Sequence, residues 1–255
     1  SPKEEKKKEE KAETTESKPL EDLVDKEKIK IETKDKSQVP PVRVNESRIG
    51  RQRQSANSSG MDAAVLLQNG PVFDPIAAER FRMLRVKTER MNNLGASVRV
   101  IATVSSVPEE GKSFVSVNLA KALSVGAPGQ TILLDCDLRK PTVQNYIGIS
   151  REPGLSDLLL EKMSLPKVVR SAIPGLDVIT AGSAGSDVLT LLSKPLFAEL
   201  IKYLRTQYRY IIVDLPPILI CPEALVVGQL VDATYMVVRA NKTPKVLVQD
   251  AIQSY

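Results

Sequence analysis

The sequence has no histidine and no tryptophan. Without an imidazole, Ser-His nucleophilic catalysis and histidine metal sites are excluded, and any general base has to be a carboxylate or a lysine. The two cysteines, Cys136 and Cys221, lie inside apolar runs without the paired spacing of a zinc site, and are expected as reduced core thiols. No apolar stretch approaches the ~20 residues of a membrane span, because the best candidate, from Ile211 to Cys221, is broken by Asp214 and two prolines. The N-terminus, rich in lysine and glutamate, lacks the apolar core of a signal peptide. Neither charge dominates: 36 basic residues face 31 acidic ones, and a net charge of +5 gives no reason to expect a nucleic-acid partner.

What is present is enough for one buried core, since 42% of 255 residues are hydrophobic. Residues 1–65 are dominated by Lys, Glu, Ser and Thr, cannot offset the cost of ordering a backbone, and are expected as a disordered charged tail or linker. Within it Arg43, Arg48, Arg51 and Arg53 are read either as a contact for anionic lipid or as a solvated linker. Residues 66–255 are assigned to a single α/β domain. The chain starts at Ser and stops inside a predicted helix, so a fragment, truncated at the C-terminus, is expected.

The domain opens with a long amphipathic helix from Asp74 to about Leu94, where Ile76, Ala77, Phe81, Leu84 and Thr88 recur at helical spacing and Pro75 suits the first turn. Beyond Gly95 apolar strands alternate with helical segments. Strands are predicted near 98–104, 131–135, 176–180, 210–214 and 233–238. Helices are predicted near 112–125, 155–163, 187–207 and 244–255, with a weaker one at 222–230. Repeated βα units predict a mostly parallel sheet with helices on both faces and ligands at the carboxyl ends of its strands.

Three short runs carry the chemistry. The first strand leads into Ser105-Ser106-Val107-Pro108-Glu109-Glu110-Gly111-Lys112-Ser113 and then a helix, the order needed for loop amides to cradle phosphates, Lys112 to neutralise them from the solvent side and Ser113 to ligate a metal. Ser106 stands where the full pattern has its first glycine. Glu109 stands where many such loops have another, and would be strained if its φ is positive. A plain helix start would also explain the run taken alone. In the second run Asp135 and Asp137 follow an apolar strand two residues apart, on one side if the strand continues; they would share a cation or a proton, or simply answer Arg139 and Lys140 as loop acids. In the third, Tyr210 to Val213 ends in Asp214 and two prolines, a cap when taken alone and a magnesium support beside Lys112 and Ser113.

Taken in order, GKS, LLDCDLRKP and IIVDLPP resemble Walker A, Walker A′ and Walker B of the bacterial tyrosine kinases, a branch of the deviant P-loop ATPases. Glu79, Arg82 and Arg85 match that family's ExxRxxR motif. The related ParA and MinD-type ATPases carry an extra lysine early in the loop, about where Val107 stands here, which favours the kinase branch. The resemblance covers about residues 71–255 and implies a P-loop NTPase fold. It further implies a cytoplasmic autokinase domain, peripheral at the inner face of the plasma membrane, that uses ATP and Mg2+ and acts with a membrane-embedded polysaccharide copolymerase in controlling the chain length and export of capsule or exopolysaccharide.

By the same resemblance Glu110, Gly111, Lys112, Ser113 and Phe114 would contact ATP, and Ser113, Asp137 and Asp214 would support magnesium. Asp135 would be the candidate base in a catalytic set with Lys112, Asp137 and Asp214. Glu79, Arg82 and Arg85 would contact the next subunit of a ring that presents a tyrosine tail to its neighbour. That substrate is expected to be the protein's own C-terminal tail, although only Tyr255 stands at this chain's end; Tyr203, Tyr208, Tyr210 and Tyr235 are expected in the core. Two other readings stay open, a P-loop ATPase switch that phosphorylates no tyrosine and a degenerate ATP-binding scaffold.

Overall fold

A computed structural model describes residues 75–125, 131–183, 185 and 187–255. The expected charged tail and its arginines lie outside the described residues. Helix α1 (Pro75–Asn93) precedes β1 (Val100–Ser105), α2 (Lys112–Ser124), β2 (Thr131–Asp135), α3 (Val143–Ile147), α4 (Leu155–Leu159) and α5 (Leu165–Val168). Then come β3 (Arg170–Ile173), β4 (Leu176–Ile179), α6 (Val188–Ser193), α7 (Pro195–Gln207), β5 (Tyr210–Asp214), α8 (Glu223–Gly228), β6 (Ala233–Val237) and α9 (Lys245–Ser254). The strands form one sheet in the order β3-β4-β2-β5-β1-β6, parallel throughout except for β3, which runs antiparallel to β4.

Alternation along the central strands builds a core on each face. Val100, Ala102, Val104, Ile132, Leu134, Ile211 and Val213 point to one side, where Leu155, Leu158, Phe197 and Leu200 cover them. Ile101, Leu133, Tyr210 and Ile212 point to the other, against Phe81, Val117, Leu119 and Val143. The lower end of the sheet is pinned by two polar clasps. Asn92 at the end of α1 bonds both main-chain groups of Val98, at 2.9 and 2.7 Å. Asp232 accepts from the amides of Arg99 and Val100, each at 2.8 Å, and from Arg205 at 2.7 Å.

Three local expectations need correction. The single helix predicted over 187–207 is two, because Lys194 precedes Pro195 and adopts extended backbone (φ −62°, ψ 143°). The helix predicted over 155–163 stops at Leu159 and is followed by Glu161 in the left-handed region (φ 58°). Strand β3 has no counterpart among the predicted strands: Arg170 and Ile173 are half-buried, Ser171 is exposed and Ala172 buried, so the pairing to β4 and not the sequence pattern makes it a strand.

Candidate active site

The loop after β1 turns sharply into α2. Gly111 caps the helix at φ 96°, and nothing would touch a side chain there, so what glycine supplies is the left-handed backbone and not space. Glu109 holds φ 66° with a side chain, the strained alternative foreseen for it. Glu110 is buried and turned to the flank: Oε2 accepts from Val107 N at 2.9 Å, and Oε1 accepts from Arg239 N at 3.3 Å and from the Thr243 hydroxyl. The loop is thereby tied to the segment after β6, and only the Glu110 main chain remains available to a phosphate. The first amides of the thirteen-residue α2 open at Gly111, the electropositive end of the helix.

Register brings the acids together. Asp135 and Asp214 are paired neighbours at the ends of β2 and β5, both fully buried. Asp135 accepts from the amides of Asp137 and Val143, each at 3.2 Å. Asp214 Oδ1 accepts from Ser116 Oγ at 2.8 Å and Thr103 Oγ1 at 3.3 Å, while its Oδ2 is buried without a hydrogen-bond partner. Because β2 ends at Asp135, Asp137 does not lie beside it as in a continuing strand; its Oδ1 accepts from Lys140 N at 3.0 Å and its Oδ2 meets Lys112 Nζ at 2.6 Å. The lysine is not on the solvent side, since its side chain is only 12% exposed.

Burial, with the crowding of like charge after it, governs the protonation of this cluster. Burial, then Asp214 and Asp137, push the Asp135 carboxyl well above the usual carboxylate range. Burial also raises Asp214, to about 6, against the pull of Lys112, Ser113 and Ser116. For Lys112 burial works against the ammonium, but Asp214, Asp137 and Asp135 together outweigh it and the net direction is upward.

The donor set suits a hard divalent cation: carboxylate and hydroxyl oxygens, with the buried Ser113 hydroxyl near the Asp214 carboxylate, whose Oδ2 has no hydrogen-bond partner. Among the described residues no three acidic or sulfur side chains close on one point, so such an ion would draw its remaining ligands from water and phosphate, as magnesium does.

Above the cluster opens a cleft of about 460 Å3. Of the residues singled out in the sequence, Gly111, Lys112, Ser113 and Asp137 line it, while Asp135 and Asp214 lie beneath. The Phe114 ring is not in its wall; it packs edge-on between Phe81 and Tyr146, with centroids 5.9 and 6.3 Å away. Sequence reasoning missed Tyr146, Ile220 and Glu223, and assigned Arg139 and Lys140 only as partners of the acid pair. Both basic side chains border the cleft, but Arg139 pairs with Glu223 at 2.6 Å and Lys140 with Glu109 at 3.2 Å. The adjacent basic pair after Asp137 was the available signal; nothing marked Glu223. Both cysteines are free and buried, and burial raises their thiols, so neither is a ready nucleophile.

On α1, Glu79 and Arg82 form an exposed pair at 2.7 Å, and Arg85 lies 4.0 Å from Glu89. Arg82 and Arg85 border a second hollow of about 220 Å3 shared with Asn118 and Lys121 of α2. Three of the six tyrosine hydroxyls are engaged. Tyr208 donates to Asp177 at 2.8 Å, Tyr235 bonds Thr88 at 3.1 Å, and Tyr255 bonds Thr234 at 2.9 Å beside Gly228. Tyr210 is buried, and Tyr203 packs partly buried against the core.

No protein-family model matches the chain. It is 31% identical over 169 residues to the tyrosine-protein kinase YwqD of Bacillus subtilis, an alignment covering 66% of this chain and 70% of that protein. It is 30% identical over 207 residues to the tyrosine-protein kinase ptk of Acinetobacter johnsonii, covering 80% of this chain but only 27% of that protein. The chain thus spans about a quarter of the length of several curated relatives it matches. Among solved structures, the VpsO kinase domain superposes with a TM-score of 0.63 at 34% identity, over 70% of this chain and 89% of that one.

Proposed function

Because the chain belongs to the bacterial tyrosine-protein kinase family, we propose that it is a Mg-ATP-dependent protein-tyrosine autokinase that regulates the chain length and export of an exopolysaccharide or capsule. The observation that carries the reading is the Lys112 ammonium at 2.6 Å from Asp137, over the buried Asp135 and Asp214 and at the start of α2.

In this reading the amides from Gly111 to Phe114 and the Lys112 ammonium hold the ATP phosphates, so that Lys112 exchanges part of its grip on Asp137 for phosphate oxygens. Ser113, Asp137 and Asp214 would hold magnesium, which would supply neutralising charge to the phosphates when bound. Asp135 accepts the proton of the tyrosine hydroxyl, for which it has to stand ionised, the form that the nearby Lys112 ammonium favours. Positioning and charge neutralisation do the rest, without a covalent enzyme intermediate.

The acceptor is a protein tyrosine, with a C-terminal tail of the same protein as the first choice. The likeness to the succinoglycan biosynthesis transport protein ExoP of Rhizobium meliloti, 33% identical over 181 residues, supports a role in polysaccharide export. A membrane-embedded copolymerase is the partner, with this domain at the inner face of the plasma membrane and assembled as a ring through Glu79, Arg82 and Arg85. Among the described residues no helix is long and apolar enough to cross a membrane.

The test is incubation with Mg-ATP followed by blotting for phosphotyrosine. A signal in the wild type that Lys112→Met abolishes is expected. Phosphate release without phosphotyrosine, with the membrane partner present, would replace the kinase by an ATPase switch.

A further inference from the structure

We propose that Arg139 is a further catalytic residue: mounted on the buried carboxylate of Glu223, its guanidinium neutralises the oxygens of the phosphoryl group as that group leaves ATP. The inference rests on the nucleotide reading of the cleft and adds a cation which that reading does not use.

The loop itself leaves room for a second side-chain cation. From Ser105 to Ser113 the chain offers one positive charge, Lys112, and two negative ones, Glu109 and Glu110. Lys112 already faces Asp137 at 2.6 Å. A transferring phosphoryl group spreads charge over three equatorial oxygens, so beside magnesium and one shared ammonium a further cation can still stabilise it.

Two other cations border the cleft. Lys140 stands at its rim with a side chain 72% exposed and pairs with an equally exposed Glu109, so solvent screens it. Arg139 is held differently. Its Nε and Nη2 both donate to Glu223 Oε1, at 2.9 and 2.6 Å, and Glu223 is fully buried while the arginine side chain is 46% exposed. One carboxylate oxygen thus fixes one edge of the guanidinium and leaves Nη1 and a hydrogen on Nη2 for a ligand. Glu223 sits in the first turn of α8 after the Asp214 strand, and Arg139 follows the Asp135 strand, so the pair links the segments leaving the two neighbouring acid-bearing strands.

The pair makes little sense as a stability device. Glu223 is completely desolvated, yet it is gripped through one oxygen, and its Oε2 is buried without a partner. The loss of water around such a carboxylate is returned only when both oxygens are well satisfied. As a mount that fixes the direction of a half-exposed guanidinium, the same arrangement is effective.

In the step itself the bond between Pγ and the bridging β,γ-oxygen breaks, and its electron pair leaves with ADP. A bond forms from Pγ to the acceptor oxygen, whose proton passes to a carboxylate of the acid cluster. Arg139 makes no covalent bond. Its contacts strengthen as the phosphoryl group flattens between donor and acceptor, so it favours the group in flight over bound ADP.

The experiment is calorimetric titration with Mg-ADP alone and with Mg-ADP plus aluminium fluoride, a planar mimic of the phosphoryl group. Fluoride is expected to tighten binding to the wild type by about 100-fold, and by less than about 5-fold in Arg139→Ala, with affinity for Mg-ADP alone changed less than about 3-fold. Arg139→Lys is not expected to restore the effect, because an ammonium cannot hold Glu223 through two donors and still present a fork. Since Arg139→Ala strands a buried carboxylate, the double variant Arg139→Ala with Glu223→Gln is measured beside it and expected to match. Equal tightening in the wild type and the double variant, or none in the wild type, overturns the role of Arg139 and leaves the nucleotide site standing. No binding of Mg-ADP to the wild type overturns the nucleotide reading and this proposal with it.

Discussion

Asp135 and Asp214 end neighbouring parallel strands as paired residues, so two carboxylates meet in the interior with Lys112 as the ammonium nearest to them. The arrangement suits a cation and a polyphosphate and burdens the protein without them. Asp214 titrates near 6 when folded, against an ordinary value of 3.8, so between those pH values the folded state binds more protons than the unfolded chain. Stability tied to Asp214 is therefore complete below the lower value and lost as pH rises through the upper one. Asp214→Asn keeps an acceptor for Ser116 and sets an amide where Oδ2 has no partner. It is expected to raise neutral-pH stability by up to about 3 kcal/mol, to give no gain near pH 4, and to abolish magnesium-dependent nucleotide binding. Denaturant unfolding at both pH values checks it; a gain independent of pH would contradict it.

Lys112→Met removes a cation that three carboxylates share and leaves Asp137 without its 2.6 Å partner. Beyond the loss of phosphate transfer, the variant is expected to be destabilised by about 2 to 3 kcal/mol near neutral pH, below the range for fully buried pairs because the acids can take up protons. The deficit should shrink as the acids protonate on acidification. Urea melts read the difference, and a variant as stable as the wild type at neutral pH would show that the lysine does not compensate the cluster.

The sheet and the pairing of Asp135 with Asp214 were legible because both rest on periodicity and strand ends. Buried parallel strands such as Thr131–Asp135 and Tyr210–Asp214 read as unbroken apolar runs that stop at an acid, and a parallel sheet carries such ends to one rim. What the sequence could not give was the pairing of side chains remote in the chain. Glu223 reaches Arg139 across 84 positions, and Glu110 reaches Arg239 across 129. No local pattern encodes such contacts. The ring of Phe114 is turned by the helix toward Phe81, so only the main chain of that residue remains for the nucleotide contact expected of it.

Glu110 is the joint between the phosphate loop and the segment after β6. Glu110→Ala leaves the amides of Val107 and Arg239 without their acceptor, and is expected to cost about 2 to 3 kcal/mol and to weaken nucleotide binding about tenfold. Glu110→Gln retains one acceptor and should fall between. Thermal unfolding with a fluorescent-nucleotide titration reads both; unaltered nucleotide affinity in the alanine variant would mean the two loops move independently.

Glu109 carries a side chain where the backbone favours glycine, and its carboxylate stands at the rim of a cleft suited to phosphate. Glu109→Gly is expected to stabilise the protein by about 0.5 to 1 kcal/mol, the relief of left-handed strain being partly offset by the freer unfolded chain. It should also tighten ATP binding several-fold at low salt, since the exposed pair with Lys140 is worth little and one like charge is removed. Weaker binding at every salt concentration would instead make the Glu109 to Lys140 pair a positioning contact.

The outer face of α1 exposes Ile76, Met83 and Val86, at 72, 47 and 55%, beside the Glu79 to Arg82 pair. A pair so exposed contributes only a few tenths of a kcal/mol within one chain, and the Arg85 Nε is buried without a hydrogen bond. Apolar surface rimmed by unspent charge suits a second copy, where Arg82 and Arg85 would find carboxylates across the interface. Replacing both arginines with Ala is expected to move the protein to the monomer position on a sizing column without altering its circular dichroism, because neither side chain fills the core. Met83→Glu, which places charge in the apolar part of the same face, should do likewise. A wild type that already elutes as a monomer, or variants that elute with a larger wild type, would exclude this face as the contact.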